Sequence, residues 1–355
     1  MSSLRIGHIV GLLVGFTLWG ATLSRANNSY DNPPLSRFQY TQLHMGVAVR
    51  LVVYAPDEPT AVRACTAAYA RIAALEDIMS DYRPTSELMR LCAQAGGPPV
   101  RVSDDLFLVL RRAHDLARRS NGAFDVTVGP LVVLWRKARK IGALPDAAQL
   151  RRARELTGWR KMRLDEQART VQLLVPGMRL DLGGIAKGYA GDCALAVLKE
   201  QGITRALFEA GGDIVVGDPP PGTDGWAVTL FDAKAKQRPF KLANSAISTS
   251  GDTEQFVEID GKRYSHVVDP HTGLGLTNRI AVTIIAREGI TSDSLSKAVG
   301  VLGSRKGVRA TRSLTRSFPG ASASVRFLNH QNTKPPRNRI SWWLGALVVI
   351  LAASR

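Results

Sequence analysis

RLDLGGIAKGYAGDCALAVLKEQGITRALFEAGGDIVV, residues 179–216, decides how this chain is layered. Residues 179–182 read as a short strand. Gly183 and Gly184 make a turn, and a helix follows to about Gln201, where Gly202 stops it. Residues 206–209 and 214–216 then read as two short strands with only a glycine turn between them. A doubly wound parallel sheet needs a helical crossover between consecutive strands. This pattern instead implies α+β: layers of mixed or antiparallel sheet flanked by helices.

Working outward, the same mixture continues. Residues 43–54 alternate, with Leu43, Met45, Val47, Val49, Leu51 and Val53 on one face, which predicts a half-buried strand. Pro59 and Thr60 open a helix with an apolar face of Val62, Cys65, Tyr69, Ile72, Leu75 and Met79. Ser103 caps another helix that ends at Asn121-Gly122, and a third spans about 146–157. Strands are expected at 170–175 and 179–182 around a Pro-Gly turn, then at 226–231, 256–259, 263–268 and 280–286. A last helix runs over 292–302 and ends at Gly303.

The two ends differ from this body. Arg5 and His8 precede an apolar run from Ile9 to Leu18, and Ser24-Arg25-Ala26 suits a cleavage site, so residues 1–26 read as an export signal or an uncleaved anchor. Residues 27–37 are a linker into a folded domain over 38–328. Residues 329–339 are basic, and 340–354 are apolar, short for a spanning helix but a candidate membrane anchor with interfacial tryptophans. The three cysteines, Cys65, Cys92 and Cys193, form no CxxC pair, and their odd number argues against a disulfide framework. The net charge is +17, and residues 101–163 hold fifteen Lys+Arg against six Asp+Glu. No recognition motif accompanies these charges, so we expect a solvated basic face and no nucleic-acid partner.

Polar residues gather between the predicted elements. Asp181-Leu-Gly-Gly-Ile-Ala-Lys-Gly188 joins a strand to a helix N-terminus, where free N–H groups and Lys187 suit an anion, although a tight packing turn reads equally well. Ala210-Gly-Gly-Asp213 follows a strand, and Ser248-Thr-Ser-Gly-Asp252 reads as a hydroxyl-rich loop. His266 lies near a strand end. Thr291-Ser-Asp-Ser-Leu-Ser296 starts a helix that Asp293 could cap, and Asp with hydroxyl oxygens also suits Mg²⁺.

Taken in order, eight segments resemble the ApbE-type FAD:protein FMN transferase family. They are Met45-Gly46, residues 79–88, 122–131 with Leu134-Trp135, 181–189, 211–213, 247–251, 265–273 and 293–303. The resemblance implies an ApbE-like layered fold with an FAD cleft between subdomains. It implies a Mg²⁺-dependent enzyme that cleaves FAD, joins FMN to a threonine of another protein and releases AMP. Met45, Tyr82, Ala123, Phe124, Asp125, Asp181, Lys187 and Val267 would contact FAD. The Gly184 carbonyl, Asp293 and Ser296 would hold the metal, and Lys187 and His266 would act in catalysis, with His271 as the rival base. The acceptor would be an exported flavin subunit of a membrane redox complex, and the enzyme would work at the periplasmic face of the inner membrane.

One position departs from the family pattern. Four residues after Asp293, where the family usually carries threonine, stands Lys297. Its side chain could point outward and leave the metal site alone, or inward and weaken it. FAD hydrolysis to FMN and AMP, or FAD binding without chemistry, are the alternative activities.

Overall fold

The computed structural model describes residues 34–231, 237–251, 256–278, 281–316 and 322–323. The export signal, the basic linker, the apolar C-terminal segment and Asp252 lie outside them. The described residues open with a hairpin of β1 (Ser36–His44) and β2 (Val47–Ala55). Met45 and Gly46 both take positive φ, 50° and 74°, and so form the primed two-residue turn that suits the twist of a hairpin. The single strand expected over 43–54 is therefore cut in two. The alternation survives the cut because the turn is so short: Val49, Leu51 and Val53 are buried, while Leu43 is exposed. β1 also starts two residues inside the expected linker.

Helix α1 (Glu58–Met79) follows, its N-cap Asp57 accepting a 2.8 Å bond from the Thr60 N–H. Next come α2 (Glu87–Ala93), β3 (Val100–Arg101), α3 (Asp104–Arg119), α4 (Gly129–Ile141) and α5 (Ala147–Glu155). Sequence reasoning passed over α4. Its start, Gly129-Pro130, reads as a breaker, yet a proline in the first helical turn costs no intrahelical hydrogen bond, because the first N–H groups have no partner there. β4 (Met162–Asp165) and β5 (Thr170–Leu173) pair with β3 in a small antiparallel sheet. Residues 179–182 are not a strand. Their partners are irregular: the Asp181 N–H donates to the Val126 carbonyl at 2.8 Å and the Leu180 N–H to Cys92 Sγ.

The remaining elements are α6 (Ala186–Glu200), β6 (Ala206–Ala210), β7 (Asp213–Val216), β8 (Trp226–Phe231), β9 (Gln237–Leu242), β10 (Ser245–Ser250), β11 (Phe256–Ile259), β12 (Lys262–Ser265), β13 (Val282–Ala286), α7 (Gly289–Arg316) and β14 (Ser322–Ala323). The main sheet has the order β1-β2-β6-β7-β10-β13-β14, and every neighbouring pair is antiparallel. Ser248 and its neighbours are thus a central strand, β10, rather than a loop. The α+β expectation holds.

One sheet face packs Val49, Leu51, Val53 and Phe208 against Ala61, Cys65, Ala68, Tyr69 and Ile72 of α1 and Ala194 and Leu198 of α6. The other face packs Val52, Leu207, Val216, Ile247 and Ile285 under the β8–β9 hairpin residues Trp226, Val228 and Leu242. Helix α7 carries a break at Gly303, with φ 71° and ψ −178°, where the predicted helix ends. All three cysteines are free thiols. Among the described residues, no helix is long and apolar enough to cross a membrane.

Candidate active site

The site is assembled where the first turns of α6 and α7 meet the end of the main sheet. Gly188 lies against Gly289 so closely that a Cβ on it would overlap the Gly289 carbonyl and come within 2.8 Å of Asp293 Cβ. Only glycine allows this contact, and it brings two helix N-terminal regions together. Asp192, one turn along α6, accepts the Gly289 and Ile290 N–H groups at 2.6 and 2.9 Å, which seats α7. Burial pushes the Asp192 carboxyl up to about 7.

Four charged groups then converge. The Lys187 ammonium lies 3.0 Å from Asp213 Oδ2 and 4.0 Å from Asp293 Oδ2. Lys297 points inward: its ammonium lies 2.5 Å from Asp293 Oδ1. Asp293 Oδ2 also accepts the Gly188 N–H at 3.1 Å. Asp293 is fully buried and Asp213 nearly so. Burial alone would raise the Asp293 carboxyl, but Lys187, Lys297 and the Gly188 N–H outweigh it and hold it below the usual range. Burial likewise opposes the Lys187 ammonium, yet Asp213 and Asp293 hold its proton on more tightly than in water. Two carboxylates and two ammonium groups balance to zero. Asp213 Oδ1 is buried without a hydrogen-bond partner and is free to receive one.

This arrangement does not fit the magnesium site expected from the sequence. The anticipated donors were the Gly184 carbonyl, Asp293 and Ser296. Asp293 Oδ1 is taken by Lys297, and the Ser296 hydroxyl donates back to the Asp293 carbonyl at 2.7 Å. The Lys297 stem lies over Gly184, its Cγ 3.3 Å from where a Cβ would stand. A divalent ion on Asp293 would sit within roughly 4 Å of an ammonium. At an effective dielectric constant of about 20, that repulsion is of order 8 kcal/mol.

A second charged group stands beside the first. Arg136 of α4 donates to Asp181 Oδ2 at 3.0 Å and to Asp81 Oδ2 at 2.5 Å, while its guanidinium stacks 4.2 Å from the exposed Tyr82 ring. Burial, then the nearby Asp81, pushes the Asp181 carboxyl up. Asp181 Oδ1 accepts the Gly183 N–H at 2.8 Å and so shapes the glycine turn. Arg136, Asp81 and Asp213 were not singled out as site residues in the sequence. Asp213 sits in a quoted segment, but Arg136 is one cation in a basic helix and carries no local signal.

Met45 at the hairpin tip and Phe124 belong to the same apolar cluster as Ile185 and Leu295. The Phe124 ring edge lies 3.3 Å from the Cβ position of Gly184. Ala123 is buried beside it. Asp125 is engaged locally: Oδ1 accepts the Thr127 N–H and hydroxyl at 2.9 and 2.7 Å, and Oδ2 the Trp159 N–H at 2.8 Å. Burial pushes its carboxyl up against those bonds. Three of its four lone-pair positions are used, so Asp125 holds the loop that presents Phe124. Asp125→Ala is expected to destabilise the protein by about 3 kcal/mol, because two buried donors of Thr127 and the half-buried Trp159 N–H lose their acceptor. Chemical denaturation of the two proteins measures it, and a loss below about 1 kcal/mol would show that water replaces the carboxylate.

His266 and Val267 follow β12 in a half-buried bend, with the Val267 carbonyl accepting the Leu276 N–H at 2.9 Å. This loop is tied to α4 by the Trp135 indole N–H, which donates to the Ser265 carbonyl at 3.0 Å. Adjacent residues of α4, Trp135 and Arg136, therefore link the histidine loop to the Asp181 turn. His271 is used differently. Its Nε2 faces the Asn121 carbonyl at 3.0 Å and its Nδ1 faces Asp269 Oδ1 at 3.1 Å. Each ring nitrogen therefore faces an acceptor oxygen, and whichever one carries the proton ties the imidazole to Asp269 or to the Asn121 carbonyl.

A family model described as the ApbE family matches residues 45–318. A Klebsiella pneumoniae protein named FAD:protein FMN transferase is 34% identical over 277 residues, which is 78% of this chain and 85% of that one. A Treponema pallidum protein of the same name is 32% identical over 338 residues, 90% of each chain. The solved flavin transferase ApbE from Vibrio cholerae superposes with a TM-score of 0.74 at 27% identity, covering 84% of this chain and 95% of that one. The ApbE protein of Thermotoga maritima gives 0.73 at 27% identity, covering 82% and 94%.

Proposed function

Because the chain belongs to the ApbE family and is an FAD:protein FMN transferase, we propose that it joins FMN to a threonine hydroxyl of an exported acceptor protein. The threonine oxygen attacks the phosphorus on the FMN side of the pyrophosphate. The bond from that phosphorus to the bridging oxygen breaks, AMP leaves, and the threonine proton passes to a base. A phosphoester and AMP are the products. The observation that carries this reading is the Lys187 ammonium in the first turn of α6, beside the Gly183-Gly184 turn and facing Asp213 and Asp293. Phosphoryl transfer depends on placing positive charge at the phosphoryl oxygens, and a cation at a helix N-terminus does so.

The residues divide the work. Met45, Tyr82, Ala123 and Phe124 form apolar and stacking surface for the ring systems, with Arg136 behind Tyr82. Asp181 shapes the glycine turn, and Val267 lines the histidine loop. His266 takes the threonine proton, while His271, set between Asp269 Oδ1 and the Asn121 carbonyl, anchors the following turn. The N-terminal signal supports export, which would place the enzyme at the periplasmic face of the inner membrane, near a flavin-bearing redox subunit. The test is incubation with FAD and a threonine-bearing acceptor peptide. Flavinylated peptide with AMP is the expected product; free FMN with AMP would show hydrolysis instead, and intact bound FAD a carrier. The protein should also bind FAD at least about tenfold more tightly than FMN, because the adenylate half is the leaving group. Equal affinities in a fluorescence titration would count against a dinucleotide site.

A further inference from the structure

The Asp293 carboxylate faces an ammonium where the sequence led us to expect a metal. Lys297 is one helical turn beyond Asp293, four residues on, so the two side chains share a face of α7. That face looks toward the N-terminus of α6. The Lys297 stem is packed against Gly184, and Phe124 closes the other side of the same glycine. With 16% of its side chain exposed, the lysine is not a surface group that happens to fold inward. Its charge is also matched: Lys187 and Lys297 balance Asp213 and Asp293 without any further cation.

We infer that Lys297 is a tethered cation that stands in for a divalent ion, so that this site takes the FAD pyrophosphate with two lysines and no metal. The inference rests on the flavin reading above. A phosphate oxygen can receive a hydrogen bond from a lysine while Asp293 keeps that lysine oriented, because an ammonium has three donors. Lys297 touches the pyrophosphate in this arrangement, and Asp293 is a positioning residue for it. Binding would then be indifferent to chelators.

The test uses the full chain and three measurements. FAD affinity is titrated in EDTA and in excess Mg²⁺, Mn²⁺ binding to the FAD complex is followed by electron paramagnetic resonance, and both are repeated with Lys297→Thr and Lys297→Met. Wild-type FAD affinity should agree within about twofold between EDTA and Mg²⁺, with no Mn²⁺ signal from the protein complex. Lys297→Thr should bind FAD at least about tenfold more weakly in EDTA, recover in Mg²⁺ and acquire a Mn²⁺ signal. Lys297→Met should lose the same affinity without recovering, which separates charge from shape. Mg²⁺-dependent FAD binding by the wild type, with Lys297→Thr behaving identically, overturns the inference and leaves the flavin reading standing. No FAD binding by the wild type under either condition overturns both.

Discussion

Lys187→Ala is expected to lose both stability and FMN transfer. Asp213 is 2% exposed, and one of its oxygens already lacks a partner. Its other oxygen is held by Lys187 at 3.0 Å. Removing the lysine leaves a buried carboxylate without compensation, a change that costs about 3–5 kcal/mol. The same ammonium is the cation placed at the glycine turn, and losing a preorganised charge of this kind lowers turnover about 10²–10³-fold. The two effects separate experimentally. Lys187→Ala with Asp213→Asn removes the stranded charge, so the double variant should regain most of its stability while remaining inactive. Peptide flavinylation and denaturant midpoints of the three proteins measure this. An active Lys187→Ala would remove the lysine from the chemistry.

Gly188→Ala should be more damaging than any surface change. The added Cβ would overlap the Gly289 carbonyl, which is backbone and cannot swing aside, and crowd Asp293 Cβ at 2.8 Å. Either α6 or α7 must move, so we expect a loss above about 3 kcal/mol and a protein that no longer binds FAD. Gly300→Ala on α7 is the control. Its nearest neighbour would be Leu276 Cδ1 at 3.9 Å, ordinary contact distance. That substitution should be neutral or stabilise by about 0.5–1 kcal/mol through helix propensity. Thermal denaturation of the pair gives the result, and equal midpoints would mean that the helices tolerate separation.

Much of the fold was legible because its signals are local. The helix over 186–200, the two strands that follow it and the stop at Gly303 are written in glycine spacing and apolar period. The misreadings share a cause. Residues 43–54 alternate through a two-residue turn that leaves the period intact, so periodicity could not reveal that the chain reverses. Residues 179–182 have strand-like composition, but they pair with no strand among the described residues. Ser248 looked like loop chemistry, yet its hydroxyl is satisfied 2.8 Å from the Ser292 hydroxyl, so a polar residue sits inside a central strand.

The sequence by itself determined the α+β layering, the family and the segments that would form the site, because each depends on residue order and local period. It marked Lys187, Asp293 and Phe124 through the motifs that contain them. Only the tertiary structure decided what those residues do to one another. The partnership of Lys187 with Asp213 spans two elements. Arg136 reaches Asp181 across 45 positions of chain. The direction of Lys297 was open in the sequence, since a lysine four residues after an aspartate on a helix can face water or the neighbouring helix. Gly184 and Gly188 settle it: without side chains there, the glycine turn and the start of α6 lie close enough to α7 to cover the lysine stem, which keeps the ammonium on the face it shares with Asp293.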